Sequence, residues 1–133
     1  MTCIAVNENF SVSGPIDHDT ESMLDKMGIH TLINLRPDAE LLGQQPVPDW
    51  HQLAMAHHWD YFYMPVVSGQ YSRQAVEAFA SLLAAQHGRV HVFCRTGTRA
   101  LHMWLLAQQL NGDSFENLQA TARRFHVTMP VMQ

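Results

Sequence analysis

Between Arg89 and Leu110 the chain passes from strand to loop to helix with no linker residues. "RVHVF" (Arg89–Phe93) is a short run rich in β-branched and aromatic residues, the composition of a buried strand. "CRTGTR" (Cys94–Arg99) follows at once. Ala100–Leu110 then carries two apolar stripes at helical spacing, one of Met103, Leu106, Ala107 and Leu110, the other of Leu101, Trp104 and Leu105. A helix apolar over that much of its circumference packs centrally, against a sheet. Such a strand, loop and helix in direct succession is a unit of an α/β fold with a mainly parallel central sheet flanked by helices.

The rest of the chain alternates in the same way, without repeats or low-complexity segments. "FSVSG" (Phe10–Gly14) reads as a first strand. A helix follows, with Asp19 or Thr20 as its cap and Gly28 as its stop. "HTLINLR" (His30–Arg36) is a buried strand ended by Pro37 and Asp38, and "ELLGQQPVP" is loop. "DWHQLAMAHHW" is a second helix with Asp49 near its cap, and "DYFYMPVV" a third strand closed by "SGQ". Ser72 caps the next helix, whose stripe is Val76, Phe79, Ala80 and Leu83, with Gly88 at its end. Gly112 stops the helix after the loop, and Asp113 and Glu116 form a capping box for a last helix through Arg124.

At 133 residues the expectation is one domain, 1–133, which buries roughly two-thirds of its unfolded surface and needs no disulfide or metal staple. A net charge of -4 argues against a dedicated nucleic-acid or anionic-membrane binder. The first ten residues hold no signal-peptide pattern, and no window approaches the ~18 apolar residues of a membrane span. The expected setting is cytoplasmic, with Cys3 and Cys94 as free thiols. The oligomeric state is not legible.

"CRTGTR" carries the chemistry. A loop between a parallel strand and a helix lies at the C-terminal edge of the sheet, where open α/β folds bind ligands. Helix N-termini present unpaired N–H groups and about half a positive charge. Together with a neighbouring guanidinium they favour a thiolate over a thiol. Gly97 lets the backbone turn so that successive N–H groups converge as an anion nest. Arg99 can fork two hydrogen bonds onto an oxyanion. Cys94 is then the nucleophile and carries the transferred group covalently.

"CRTGTR", the upstream "INLRPD", the "VSG" of the first strand and the "MPV" of the third together resemble the bacterial phosphatase-like domain of β-lactamase-hydrolase-like proteins. That family is an atypical relative of the tyrosine and dual-specificity phosphatases, and some members are labelled sulfurtransferases. The resemblance runs over roughly residues 10 to 112. It implies a dual-specificity-phosphatase-like fold, Cys94 as nucleophile, Arg99 as phosphate clamp, and backbone N–H donors from Arg95, Thr96, Gly97 and Thr98. No cofactor and no metal are expected for this chemistry. The substrate expected is a small anionic or phosphorylated molecule, attacked through a phosphocysteine.

Three positions depart from the phosphatase pattern. Four residues separate Cys94 from Arg99, one fewer than in conventional tyrosine phosphatases and as in many sulfurtransferase loops. Ala100 stands where a Ser or Thr usually helps the thiolate leave. The segment "PVVSGQYS" after the third strand lacks the carboxylate that serves dual-specificity enzymes as general acid. The replacement acid expected is Asp38, beyond the second strand at the same sheet edge, where Arg36 adds positive charge. Two alternatives stay open: a sulfurtransferase carrying a persulfide on Cys94, and an anion-binding module without turnover.

The nine histidines suggest no metal site, since His51 and His58 lie two turns apart and no zinc motif occurs. His91 falls on the opposite strand face from Cys94 and reads as a core histidine. Trp50 and Trp59 read as core, and Arg123 and Arg124 as surface.

Overall fold

A computed structural model describes residues 3–133. Its strands are β1 (Ile4–Ala5), β2 (Phe10–Ser13), β3 (Ile29–Asn34), β4 (Asp60–Tyr63) and β5 (Arg89–Phe93), and they form one sheet in the order β1-β2-β5-β3-β4. β5 lies at the centre. It pairs in parallel with β2 (Val12 opposite Val92) and with β3 (Ile33 opposite Val92), while β4 extends the sheet in parallel beyond β3. β1 is an antiparallel edge that the sequence reading missed, because two residues show no periodicity. The helices are α1 (His18–Met27), α2 (Val47–Ala56), α3 (Arg73–Ala84), α4 (Thr98–Leu110) and α5 (Phe115–Arg124).

Side-chain alternation divides the core into two layers, one on each face of the sheet. Val12, Ile33 and Val92 pack with Phe79 of α3, Leu105 and Leu106 of α4, and Leu118 of α5. Leu32 and Phe93 pack on the other face with Leu24 of α1 and with Trp50 and Trp59. Cys94 belongs to the first cluster and Phe93 to the second, so His91, two residues before Phe93, faces away from the cysteine as its strand parity requires. The stripes read on α4 are real: Leu101, Met103, Trp104, Leu105, Leu106 and Ala107 are all buried.

Several boundaries differ from the sequence reading, each for a local reason. α1 is capped by Asp17, whose side chain accepts from Thr20 N–H at 2.8 Å, rather than by Asp19 or Thr20. The third strand stops at Tyr63, because Pro65 has no N–H to give a ladder. α3 ends at Ala84, which leaves Gly88 in the turn into β5. Ser114, not Asp113, caps α5 by accepting from Asn117 N–H at 3.1 Å. Asp113 instead accepts from Ser114 N–H and from the Asn117 side chain. Among the described residues no helix is long and apolar enough to cross a membrane.

Candidate active site

The loop begins while the chain is still tied into the sheet. Cys94 N–H donates to Ser13 O of β2 at 3.1 Å, and the Cys94 side chain is fully buried. Three residues on, Gly97 takes the left-handed conformation with φ 90°. A Cβ there would cost about 1–2 kcal/mol, which is why the turn wants glycine. The turn directs Gly97 N–H back onto Cys94 Sγ at 3.0 Å. Gly97 is also the N-cap of α4, which starts at Thr98, two residues earlier than expected. It offers no side-chain cap, and Thr98 N–H makes only a long bond to Thr96 Oγ1 at 3.4 Å, so the first turn of α4 stays open to a ligand. Arg95 and Thr96 are exposed, and Thr98 is half-buried.

Arg99 lies nearly buried under this loop, at 5% exposure. Its Nη1 donates to Val66 O at 2.8 Å and more weakly to Leu35 O at 3.4 Å. Its Nη2 pairs with Glu40 Oε2 at 2.9 Å. Its Nε is buried and has no partner among the described residues. Leaving a buried donor unsatisfied costs about 1–3 kcal/mol, so this orphan marks a place for an acceptor that the protein does not itself supply.

Glu40 is the residue that sequence reasoning missed. Its other oxygen, Oε1, takes Arg36 Nε at 3.2 Å, so one carboxylate bridges two buried guanidiniums. Arg36 lies beyond β3 as expected, as a buried member of this triad. The i,i+4 spacing of Arg36 and Glu40 was the only local signal of the pair. Two cations against one anion leave the triad one positive charge in excess.

Asp38 is exposed and holds the loop together. Its N–H donates to Tyr63 Oη at 2.8 Å, and its Oδ1 accepts Val47 N–H at 3.1 Å. It thereby supplies the cap that α2 lacks, since the N-cap position is Pro46. The segment after β4 is fastened to α4 at two points. One is Val66 O on Arg99, and the other is Tyr71 Oη, which lies 2.9 Å from His102 Nδ1. Burial pushes the Tyr71 phenol up and the His102 imidazole down, so both groups of this contact are held toward their neutral forms.

Comparison with known proteins identifies the family and the fold. The family model for the phosphatase-like domain of beta-lactamase hydrolase-like proteins matches residues 3–111. A beta-lactamase hydrolase-like protein of Xylella fastidiosa is 32% identical over 113 residues, 84% of this chain and 26% of the relative. One from Agrobacterium fabrum is 33% identical over the same share of each. The chain thus spans about a quarter of the length of these curated relatives. Among solved structures, a candidate phosphatase of Neisseria meningitidis superposes with a TM-score of 0.83 at 24% identity, covering 97% of this chain and 92% of that one. The core catalytic domain of a PP-IP phosphatase from S. cerevisiae superposes at 0.74 with 11% identity, covering 97% of this chain and 78% of that one.

Proposed function

The chain belongs to the phosphatase-like domain family of beta-lactamase hydrolase-like proteins, and from that premise we propose that it is a cysteine-dependent hydrolase of phosphate monoesters, acting as one domain. The observation that carries the reading is the pairing of Cys94 Sγ, accepting from Gly97 N–H, with an Arg99 whose buried Nε is left without a partner. One group is the nucleophile. The other is a donor waiting for an oxyanion.

The Cys94 thiolate attacks phosphorus, and the S–P bond forms as the P–O bond to the leaving group breaks. The backbone N–H groups from Arg95 to Thr98 and the Arg99 guanidinium hold the equatorial oxygens, where charge accumulates. Asp38 protonates the departing oxygen. Water then attacks the phosphocysteine, the S–P bond breaks, and inorganic phosphate leaves with the thiolate restored. Ala100 offers no hydroxyl to assist that second step. The Arg36–Glu40 pair holds Arg99 in place, and the surplus positive charge of the three-residue cluster draws anionic substrates to the loop.

Incubation with an aryl phosphate is expected to release phosphate, and incubation with thiosulfate and cyanide to yield no thiocyanate. Thiocyanate without phosphate release would replace this reading by sulfur transfer. Tight phosphate binding with neither product would replace it by anion binding alone.

The acid has its own test. Asp38→Asn keeps the oxygen that caps Val47, so the fold is preserved while the proton is lost. It should lower the rate on alkyl phosphates about a hundredfold, change aryl phosphates with good leaving groups little, and erase the basic limb of the pH–rate profile. An unchanged profile removes Asp38 from the mechanism.

A further inference from the structure

Behind the loop, on the face of β5 turned away from the cysteine, lies a buried polar chain that the proposed chemistry does not use. His91 has no exposed surface. Its Nδ1 lies 2.7 Å from Ser11 Oγ and its Nε2 lies 2.8 Å from Ser13 Oγ, both on the neighbouring strand β2. The Ser13 hydroxyl donates its single proton to Gly14 O at 2.7 Å. Ser13 Oγ can therefore only accept from the imidazole, which assigns the proton to Nε2 and makes Nδ1 the acceptor of the Ser11 hydroxyl. Burial pushes His91 down to about 3, so the ring stays in this one neutral form over the working range of pH.

The chain of bonds runs toward the reactive loop. Ser13 O is the acceptor for Cys94 N–H at 3.1 Å. Gly14 is pressed against the next peptide: a Cβ there would stand 3.1 Å from Arg95 O. The dipeptide Ser13–Gly14 is thus the bed on which Cys94 and Arg95 rest. Its orientation is fixed by a hydroxyl bonded at once to His91 and to the Gly14 carbonyl.

We propose that His91 is a positioning residue, which acts through Ser13 and Gly14 to hold the Cys94–Arg95 backbone and so aims the nucleophile and the N–H groups of the nest. This deepens the phosphatase reading but rests only on Cys94 being a reactive thiol in an anion-binding loop. Displacements of about an ångström at a reacting centre cost up to roughly a hundredfold in rate, so a small tilt of Ser13–Gly14 is enough to matter.

The two serines separate positioning from mere packing. Ser11→Ala cuts the far bond and leaves the arm that reaches the loop. Ser13→Ala cuts the arm. Ser13→Thr restores a hydroxyl, and His91→Phe removes both bonds. The readout is the rate at which iodoacetate alkylates Cys94, followed on the Cys94 peptide by mass spectrometry at a temperature where each variant is folded by circular dichroism. The kcat and KM on an aryl phosphate are measured alongside. Ser13→Ala and His91→Phe are expected to slow alkylation and kcat about tenfold with KM little changed, Ser13→Thr to recover most of the loss, and Ser11→Ala to stay within about twofold of the parent. Folded Ser13→Ala with parental alkylation and kcat overturns the proposal, as does equal loss in Ser11→Ala and Ser13→Ala. If His91→Phe does not fold, the serine series decides alone. Because alkylation needs no phosphate chemistry, a parent that released no phosphate would sink the phosphatase reading while leaving this one to its own result.

Discussion

Cys94→Ser is expected to abolish phosphate release, with a loss of at least roughly three orders of magnitude in kcat. The size of the effect follows from the surroundings of the sulfur. Gly97 N–H donates to this atom at 3.0 Å, and a thiol is by nature far more acidic and nucleophilic than the alcohol that would replace it. No imidazole or carboxylate hydrogen-bonds Cys94 among the described residues, so serine would gain no base to take its proton. The substitution is close to isosteric at a fully buried position, and the melting temperature should move by only a few degrees. Inorganic phosphate should still bind, since the nest and Arg99 remain. Activity and phosphate affinity, measured on the same sample, check this. Full activity in the serine variant would remove Cys94 as the nucleophile.

Arg99→Lys is expected to lose about a thousandfold in kcat/KM while the protein still folds. The guanidinium does three things at once: it donates to Val66 O, pairs with Glu40, and keeps Nε in reserve. An ammonium carries its three donors on one nitrogen and cannot reach groups that the guanidinium meets from three separate nitrogens. Lysine can still neutralise Glu40, which also retains Arg36, so no carboxylate is stranded without a cation. Alanine would be a poorer test, because it combines lost catalysis with a half-compensated carboxylate. Steady-state kinetics with inorganic phosphate as competitive inhibitor check the result, and the inhibition constant should rise with the loss of activity. A kcat/KM within about threefold of the parent would show that the clamp is elsewhere.

What could be read from the sequence was what is local. Cys94, Gly97 and Arg99 lie within one loop, so their order along the chain already dictates their order in space. The strand before them and the helix after them announced themselves by apolar pattern, and both cores contain the residues assigned to them. The Arg36–Glu40–Arg99 triad was hidden for the opposite reason. Arg36 and Arg99 meet through a carboxylate that belongs to a loop without periodicity, and only the pairing of β3 with β5 brings the two ends together. Asp38 shows a third case. Its position at the sheet edge was legible, but its bond to Val47, nine residues on, required knowing where α2 begins.

The position of β5 sets the order in which the molecule can be completed. β2 and β3 come early in the chain but do not touch; the strand between them is made some eighty residues after β2, and Ser11 pairs with His91. Until that strand arrives, the two halves of the sheet have no common partner and each shows an open edge. Closing so long a connection costs chain entropy before any pairing compensates for it. The strand that joins the halves is the one that leads directly into Cys94. A chain lacking it would have neither a continuous sheet nor the loop, so Cys94 and Arg99 take their places in the same event that completes the fold.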